Sequence, residues 1–256
     1  MAKPSHPSTA APTLVAHRGA SHQYPENTLI AYESAVAAGA KFVELDVQLS
    51  QDQVPILHHD QDLLRMTGRA GDITQLSAAK VLSHPAGYPE RFGETFQHNR
   101  LVSLADFSQW MLQHPHVTTF VEIKRQSVEF FGAELVANQV LAAMEPIRDQ
   151  CVVISFNEEV LAAVKSIRSS MPIGLVLRQY DDSHHQIAQN LRPSYLFCKT
   201  TRVPTSRTVW EGNWQWVLYN TETIDDVLDF YHSGFDMLET NRIVDLLGHA
   251  QLNANA

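Results

Sequence analysis

Eight short β-type runs, separated for the most part by longer amphipathic segments, constrain the fold of this chain most strongly. Such alternation over about 250 residues is typical of an α/β protein built as a (β/α)8 (TIM) barrel. An open doubly wound sheet is the alternative, but it usually carries a G-x-G-x-x-G loop after its first strand. The chain has "HRGASHQYPENT" at that point, so we predict the barrel. The predicted strands are 13–17, 42–49, 118–124, 151–155, 173–177, 194–198, 214–220 and 235–239.

Helices are predicted in most of the segments between these strands. Asn27 is a suitable N-cap for the first helix, and Gly39 is a suitable stop. The polar stretch 60–102 interrupts the alternation, and we interpret it as a small insertion after the second strand that forms a lid or substrate wall. We predict a flexible tail over residues 1–12 and a single catalytic domain over 13–250. The predicted helices are 28–38, 103–113, 128–144, 157–169, 183–190 and 222–232.

Composition excludes several classes of partner. The chain has 19 Lys and Arg against 28 Asp and Glu, a net charge of −9, which argues against non-specific nucleic-acid binding. No apolar run approaches the roughly 18 residues that span a bilayer, and the first residues lack the apolar core of a secretory signal. Cys151 and Cys198 lie in apolar runs and are predicted to be buried thiols. We therefore expect a cytoplasmic protein. Its oligomeric state cannot be inferred from these features.

Charged side chains recur at the ends of the first three predicted strands, where the active site of a (β/α)8 enzyme lies. Residues two apart on a strand share a face, so each pair of acids or of acid and base projects the same way. These residues are His17 and Arg18 on the first strand, Glu44 and Asp46 on the second, and Glu122 and Lys124 on the third.

Two chemical roles follow from these residue types. Clustered carboxylates repel one another unless a cation or a proton lies between them, and hard oxygen ligands favour one divalent cation, Mg²⁺ or Ca²⁺, over zinc. Arg18 and Lys124 are suited to hold phosphate oxygens. The adjacent pair His58-His59 offers proton transfer near neutral pH. Together these groups are what phosphoryl transfer requires.

Four ordered motifs extend this interpretation. They are "AHRGASHQYPENTLIAYESAVAAGAKFVELDVQLSQDQVPILHHD", "FVEIK", "VVISFNEEVL" and "NTETIDDVLDFYHSGFDMLETNRIVDLL". In this order they resemble the glycerophosphodiester phosphodiesterases, specifically the compact bacterial cytoplasmic type, over residues 13 to 248. The resemblance implies catalytic histidines, metal ligands and phosphate-binding groups at matching positions. These are His17 and His59; Glu44, Asp46 and Glu122; and Arg18 and Lys124, with Glu26 either orienting Arg18 or assisting the residues around the cation.

Three further positions qualify the resemblance. His58 precedes the histidine that fits the motif, and strand alternation would turn it away from His59. The family usually has an aromatic residue where this chain has Val217, so Phe156 is the candidate for the aromatic wall of the substrate site. Asn241 stands where the family often has Asp.

The resemblance implies hydrolysis of a small-molecule glycerophosphodiester to sn-glycerol 3-phosphate and an alcohol. It also implies a cyclic phosphate intermediate formed by the glycerol 2-hydroxyl. Three alternatives remain at this point: a lysophospholipase D-like phosphodiesterase acting on lysophospholipids or sphingolipids, a metal-dependent isomerase or aldolase on the same barrel, and a non-catalytic binding barrel.

Overall fold

A closed barrel of eight parallel strands forms the centre of the computed structural model, which describes residues 11–253. The strands follow the barrel in the order β1-β2-β4-β5-β6-β7-β8-β9, and β1 pairs with both β2 and β9 to close it. They are β1 (Thr13–His17), β2 (Phe42–Leu49), β4 (Thr118–Ile123), β5 (Cys151–Ser155), β6 (Ile173–Val176), β7 (Tyr195–Lys199), β8 (Gln215–Tyr219) and β9 (Met237–Thr240). The predicted (β/α)8 barrel is confirmed, with each strand within two residues of its predicted bounds.

Helices surround the barrel and follow most of its strands. The principal ones are α1 (Leu29–Ala37), α5 (Leu104–Met111), α6 (Arg125–Phe131), α7 (Ala133–Ala143), α8 (Glu158–Ile167), α9 (Asp182–Leu191) and α10 (Ile224–His232). Shorter helices are α2 (Leu64–Thr67), α3 (Ala78–Leu82), α4 (Pro89–Phe92), α11 (Ile243–Leu247) and α12 (Ala250–Asn253), with 3₁₀ turns at Ile73–Gln75, Glu145–Gln150 and Thr200–Arg202. No helix within residues 11–253 is both long and apolar enough to cross a bilayer.

Side chains from alternate strand positions fill two separate apolar layers. Val217 belongs to a small cluster inside the barrel, to which β1 and β4–β9 contribute. Its neighbour Trp216 points outward and is fully buried in the larger layer between barrel and helices, where it packs against Phe235 and Tyr180. Neighbouring positions on β8 thus face opposite sides of the strand. Cys151 and Cys198 are buried free thiols, as predicted.

Two helical predictions are wrong in detail. The helix predicted over 128–144 is two helices, α6 and α7, because Gly132 adopts φ +86° between them. Asn27 does not cap α1: the cap position is Thr28, which makes no side-chain capping bond. Asn27 has φ +57° and turns its amide into the barrel, where it contacts Asp46 and Tyr32.

Residues 60–102 form a compact subassembly beside the barrel mouth. The short strand β3 (Pro55–Leu57), which runs antiparallel to β2, leads into it, and α2, α3 and α4 follow. Its own small apolar cluster includes Leu63, Ile73 and Val81. Polar contacts join it to the first βα loop: Arg65 pairs with Glu26, and Arg91 donates to the carbonyl oxygen of Ser21 at 2.9 Å. The predicted tail lies, for residues 1–10, outside the described residues.

Candidate active site

A cavity of about 230 Å³ lies at the carboxyl ends of the barrel strands. The sequence-predicted residues that line it are His17, Arg18, Glu44, His59, Glu122, Lys124 and Phe156. Asp46 and Glu26 do not line it. They lie behind Arg18, and Asp46 is wholly buried. Strand geometry thus collects seven of the nine predicted site residues at one cavity and places the other two against them.

The three predicted acids form one compact cluster. Asp46 on β2 lies directly opposite Glu122 on β4 in the parallel register, and Glu44 is two residues before Asp46 on the same face. One carboxylate oxygen from each acid lies within 4.8 Å of the others. All three residues are buried, at 2 % exposure for Glu44, 0 % for Asp46 and 9 % for Glu122.

Asp46 is neutralised by two basic residues. Arg18 Nε lies 2.9 Å from Asp46 Oδ2, and Lys124 Nζ lies 3.1 Å from Asp46 Oδ1 and 2.7 Å from Glu122 Oε1. Burial alone would raise the pKa of Asp46, but Arg18 and then Lys124 outweigh it and hold that pKa well below its ordinary value. Burial would likewise lower the pKa of Lys124, and Asp46 and Glu122 raise it instead. Both basic residues are therefore cationic at the edge of the cavity.

The turn after β1 explains why the sequence reads His-Arg-Gly. Arg18 has φ +58° and donates its backbone N–H to Glu44 O at 3.0 Å, so the turn is fixed to β2. Gly19 follows with φ +82°, and a Cβ atom there would lie 2.7 Å from the carbonyl carbon of Ala31. Only glycine fits this close approach to α1 without strain. The turn aims Arg18 back into the barrel, where Glu26 contacts it at 2.9 Å.

His17 ends β1 with one ring nitrogen fixed and the other directed at the acids. Its Nδ1 lies 2.9 Å from Asn241 Oδ1, and because that oxygen can only accept, Nδ1 carries the proton. Its Nε2 lies 3.5 Å from Glu239 Oε1 and 4.0 Å from Glu44 Oε2. Burial, followed by the positive charge of Arg18, lowers the pKa of His17 to about 3. The imidazole is thus neutral at pH 7, and its Nε2 carries no proton.

His59 and His58 have different surroundings. His59 lines the cavity, and its Nδ1 lies 2.7 Å from Asp60 Oδ1. The other oxygen of the same carboxylate, Asp60 Oδ2, lies 2.6 Å from Arg65 Nε. His58 is buried at 1 % exposure, and its Nε2 lies 3.1 Å from the carbonyl oxygen of Asp62. His58 therefore supports the fold of the segment after β3.

Several cavity residues are not among the predicted site residues. Glu239, on β9, is buried at 3 % exposure beside His17, and burial followed by the charge of Glu122 raises its pKa to about 8. Tyr219, on β8, provides an aromatic ring two residues after Val217. Lys199 and Arg202 complete the wall after β7. The rule that found the first three strand ends, polar residues at the carboxyl ends of strands, also applies to these later strands.

The acidic cluster fits a hard divalent cation. Glu44 Oε1 and Glu239 Oε2 are both buried, and neither has a hydrogen-bond partner among the described residues. An unpaired buried carboxylate oxygen is costly, and a cation satisfies it. The donor set is dominated by carboxylate oxygens, which suits Mg²⁺ or Ca²⁺ better than a metal that prefers sulfur or imidazole ligands.

Comparison with known proteins identifies the family. The family model described as "Glycerophosphoryl diester phosphodiesterase family" matches residues 17–230. The chain belongs to this family. A curated glycerophosphodiester phosphodiesterase of Caldanaerobacter subterraneus is 30% identical over 165 residues, which is 64% of this chain and 65% of that protein. The bovine glycerophosphodiester phosphodiesterase 1 is 28% identical over 172 residues, 67% of this chain and 51% of that protein. The matches thus span about half to two thirds of these relatives.

Solved structures agree on the fold of this family member. A phosphodiesterase of Oleispira antarctica, determined in complex with the product sn-glycerol-3-phosphate, superposes with a TM-score of 0.79 at 21% identity and covers 92% of this chain and 95% of that one. A glycerophosphodiester phosphodiesterase of Agrobacterium tumefaciens gives a TM-score of 0.75 at 20% identity, covering 93% of this chain and 100% of that one. The barrel is therefore shared with these proteins.

Proposed function

We propose that the chain hydrolyses glycerophosphodiesters to sn-glycerol 3-phosphate and an alcohol with the help of one divalent cation, Mg²⁺ or Ca²⁺. The observation that carries the proposal is that His17, His59, Arg18, Lys124 and the acid pair Glu44 and Glu122 all line one cavity. A cavity of this size accommodates a small phosphodiester. The product found in the Oleispira antarctica phosphodiesterase, sn-glycerol 3-phosphate, supports the same product here.

Glu44, Asp46 and Glu122 would hold the cation, which supplies positive charge to a phosphate oxygen. The side chains of Arg18 and Lys124 add two further positive charges beside the divalent cation. Both are already held by Asp46, at 2.9 and 3.1 Å, so they need little reorganisation when charge builds on the phosphate in the transition state. Glu26 keeps Arg18 aimed at the cavity through a second contact of 2.9 Å. Phe156 would contact the alcohol part of the substrate.

The two histidines would transfer the protons. In the first step the glycerol 2-hydroxyl oxygen attacks phosphorus and gives its proton to one imidazole, while the bond from phosphorus to the alcohol oxygen breaks and the other imidazole protonates that oxygen. Water then opens the cyclic phosphate with the two roles reversed. His17 Nε2 is unprotonated, which supports a base role, and Asp60 Oδ1 lies 2.7 Å from His59 Nδ1, which supports a fixed orientation of the His59 ring.

The decisive experiment removes bound cations with a chelator and assays a panel of glycerophosphodiesters with Mg²⁺ or Ca²⁺ restored separately. We expect release of sn-glycerol 3-phosphate only when a cation is present. Activity that persists in excess chelator would contradict the cation, and turnover of a 2-deoxy analogue at the normal rate would contradict internal attack. Lysophospholipids belong in the panel, because preferential cleavage of these would favour the lysophospholipase D-like alternative. Inactivity on every phosphodiester would favour an isomerase, an aldolase or a binding barrel.

We also propose a cytoplasmic location. The two buried free cysteines support it, because a reducing compartment keeps such thiols unpaired.

A further inference from the structure

We propose that Glu239 is a fourth carboxylate ligand of the divalent cation, so that the cation is held from β9 as well as from β2 and β4. This inference rests on the proposed function, because it concerns the same cation. β1 pairs with β2 on one side and with β9 on the other, so Glu239 would bind the cation from a strand that does not adjoin β2 or β4.

The first observation is the state of Glu239 itself. Its side chain is buried, at 3 % residue exposure, and its Oε2 atom has no hydrogen-bond partner among residues 11–253. Its Oε1 atom lies 3.5 Å from His17 Nε2. A carboxyl group in the interior of a barrel normally has a partner for each oxygen, because an unpaired buried polar atom is costly. Glu239 therefore points to a ligand.

The second observation is that Glu44 faces the same place in the same condition. Its Oε1 atom is also buried and lacks a hydrogen-bond partner within the described part of the chain. One ligand atom each from His17, Glu44 and Glu239 lies within 4.8 Å of the others, and Glu44 is also a member of the cluster with Asp46 and Glu122. Glu44 thus connects the two groups, and a cation beside it is within reach of both.

The third observation concerns Asp46, whose oxygens are already engaged. Its Oδ1 contacts Lys124 Nζ at 3.1 Å, and its Oδ2 contacts Arg18 Nε at 2.9 Å and Asn27 Nδ2 at 3.0 Å. Asp46 consequently has less capacity for a cation than the unpartnered oxygens of Glu44 and Glu239. A hard cation that takes six or more oxygens would use all four acids.

His17 is the competing ligand, since it belongs to the same group. Hard cations prefer carboxylate oxygen to imidazole nitrogen. A cation held by Glu239 and Glu44 leaves His17 Nε2 free to move a proton. With Glu239 on β9 as a ligand, the cation is bound by carboxylates, and His17 on the neighbouring strand β1 remains available for proton transfer.

The test compares Glu239→Gln with the wild-type protein after removal of cations. Titration of Mn²⁺, Mg²⁺ and Ca²⁺ by calorimetry, with Mn²⁺ also followed by electron paramagnetic resonance, measures affinity and stoichiometry without an activity assay. We expect one ion per chain and an affinity at least about tenfold weaker in Glu239→Gln, since even residues behind metal ligands have effects of 10–100-fold. Glu239→Asp should be intermediate. Glu33→Gln, at an exposed position on α1, removes the same charge and should bind like wild type.

Thermal unfolding distinguishes a ligand from a residue that merely supports the fold. In chelator, Glu239→Gln should be at least as stable as wild type, because it removes repulsion between buried acids. Added cation should raise the melting temperature of wild type clearly more than that of the variant. Unchanged cation affinity in Glu239→Gln, or two ions per chain, would overturn this inference while leaving the proposed hydrolysis intact. Failure of the wild type to bind any of the three ions would instead contradict the proposed function.

Discussion

The mouth of the barrel has two halves of different character. The half formed by β1, β2, β4 and β9 is charged, buried and cross-linked by ion pairs. It contributes His17, Arg18, Glu44, Glu122, Lys124 and Glu239 to the cavity. The half formed by β5–β8 is mainly apolar, with two basic residues at its rim. It contributes Ile154, Phe156, Val176, Phe197, Tyr219, Lys199 and Arg202.

Under the proposed function, the charged half carries out the reaction and the apolar half contacts the alcohol part of the substrate. In the charged half, each basic residue contacts at least one acid within 3.1 Å, so the groups are held before substrate arrives. In the apolar half, aromatic and aliphatic side chains shape the space, and Arg202 donates to the Tyr219 hydroxyl at 3.0 Å. Substitutions in the first half should therefore reduce the rate, whereas those in the second should change stability or substrate choice.

The largest effect is expected for the two histidines that line the cavity, His17 and His59. His17→Ala and His59→Ala should each lower kcat by roughly 10²–10⁴-fold, the usual contribution of a general acid or base. Steady-state assays of sn-glycerol 3-phosphate release measure this. His58→Gln is the control, since His58 is buried against the Asp62 carbonyl and does not line the cavity. Near-normal kcat in either alanine variant would remove that histidine from the mechanism.

Packing behind the apolar half gives the next effect. Trp216 is fully buried behind β8 and contacts Phe235 with ring centroids 5.6 Å apart. Trp216→Ala should reduce the free energy of unfolding by about 3–5 kcal/mol, measured by urea denaturation. Leu112→Ala, at a residue that is 48 % exposed, should change it little. A loss of less than about 1 kcal/mol in Trp216→Ala would contradict the expectation that packing of Trp216 behind β8 stabilises the apolar half.

Lowering the pH should reduce the free energy of unfolding, because protonation of Glu26 removes its ion pairs with Arg18 and Arg65 in the charged half. Burial would raise the pKa of Glu26, but Arg18 and Arg65 outweigh it and lower this pKa from 4.5 to about 2. A lowered folded-state pKa stabilises the fold above the unfolded pKa, and the contribution, of the order of 3 kcal/mol, is lost as the pH falls from about 4.5 towards 2. The difference in unfolding free energy between wild type and Glu26→Gln should shrink between pH 6 and pH 3.

Urea titrations at both pH values measure that difference. Glu90→Gln, at an exposed residue of α4, is the control and should differ from wild type equally at the two pH values. If the difference in unfolding free energy between wild type and Glu26→Gln stays constant from pH 6 to pH 3, the Glu26 ion pairs do not contribute to the pH dependence of stability.

The smallest effect concerns substrate choice at the rim. Lys199 lines the cavity opposite the acids, so Lys199→Ala should raise KM for diesters with an anionic alcohol group by about tenfold or less and leave kcat unchanged. KM for a choline diester should change less. Lys41→Ala, at an exposed residue before the start of β2, is the control. Equal KM changes for anionic and cationic alcohols would show that Lys199 does not select by charge.

Local pattern was sufficient for the barrel and for the shared face of the two acids on β2. Alternating apolar runs specify parallel strands, and two-residue spacing predicted that Glu44 and Asp46 would share a face. Asn27 shows the limit of local pattern. Its sequence context is that of a helix cap, but its amide instead contacts Asp46, 19 residues away. A contact between a loop and the neighbouring strand, made only on folding, cannot be recognised from neighbours in the chain.

By itself, the sequence determined the order of the barrel strands and the shared face of Glu44 and Asp46 on β2. Only the tertiary structure decided that Glu239 lies beside His17, 222 positions earlier, and that Tyr219 lines the same cavity as Phe156. The physical reason is closure of the barrel. Periodicity tells which face a side chain takes within its strand, but β9 meets β1 only when the barrel closes, and that juxtaposition creates the unpartnered buried oxygens.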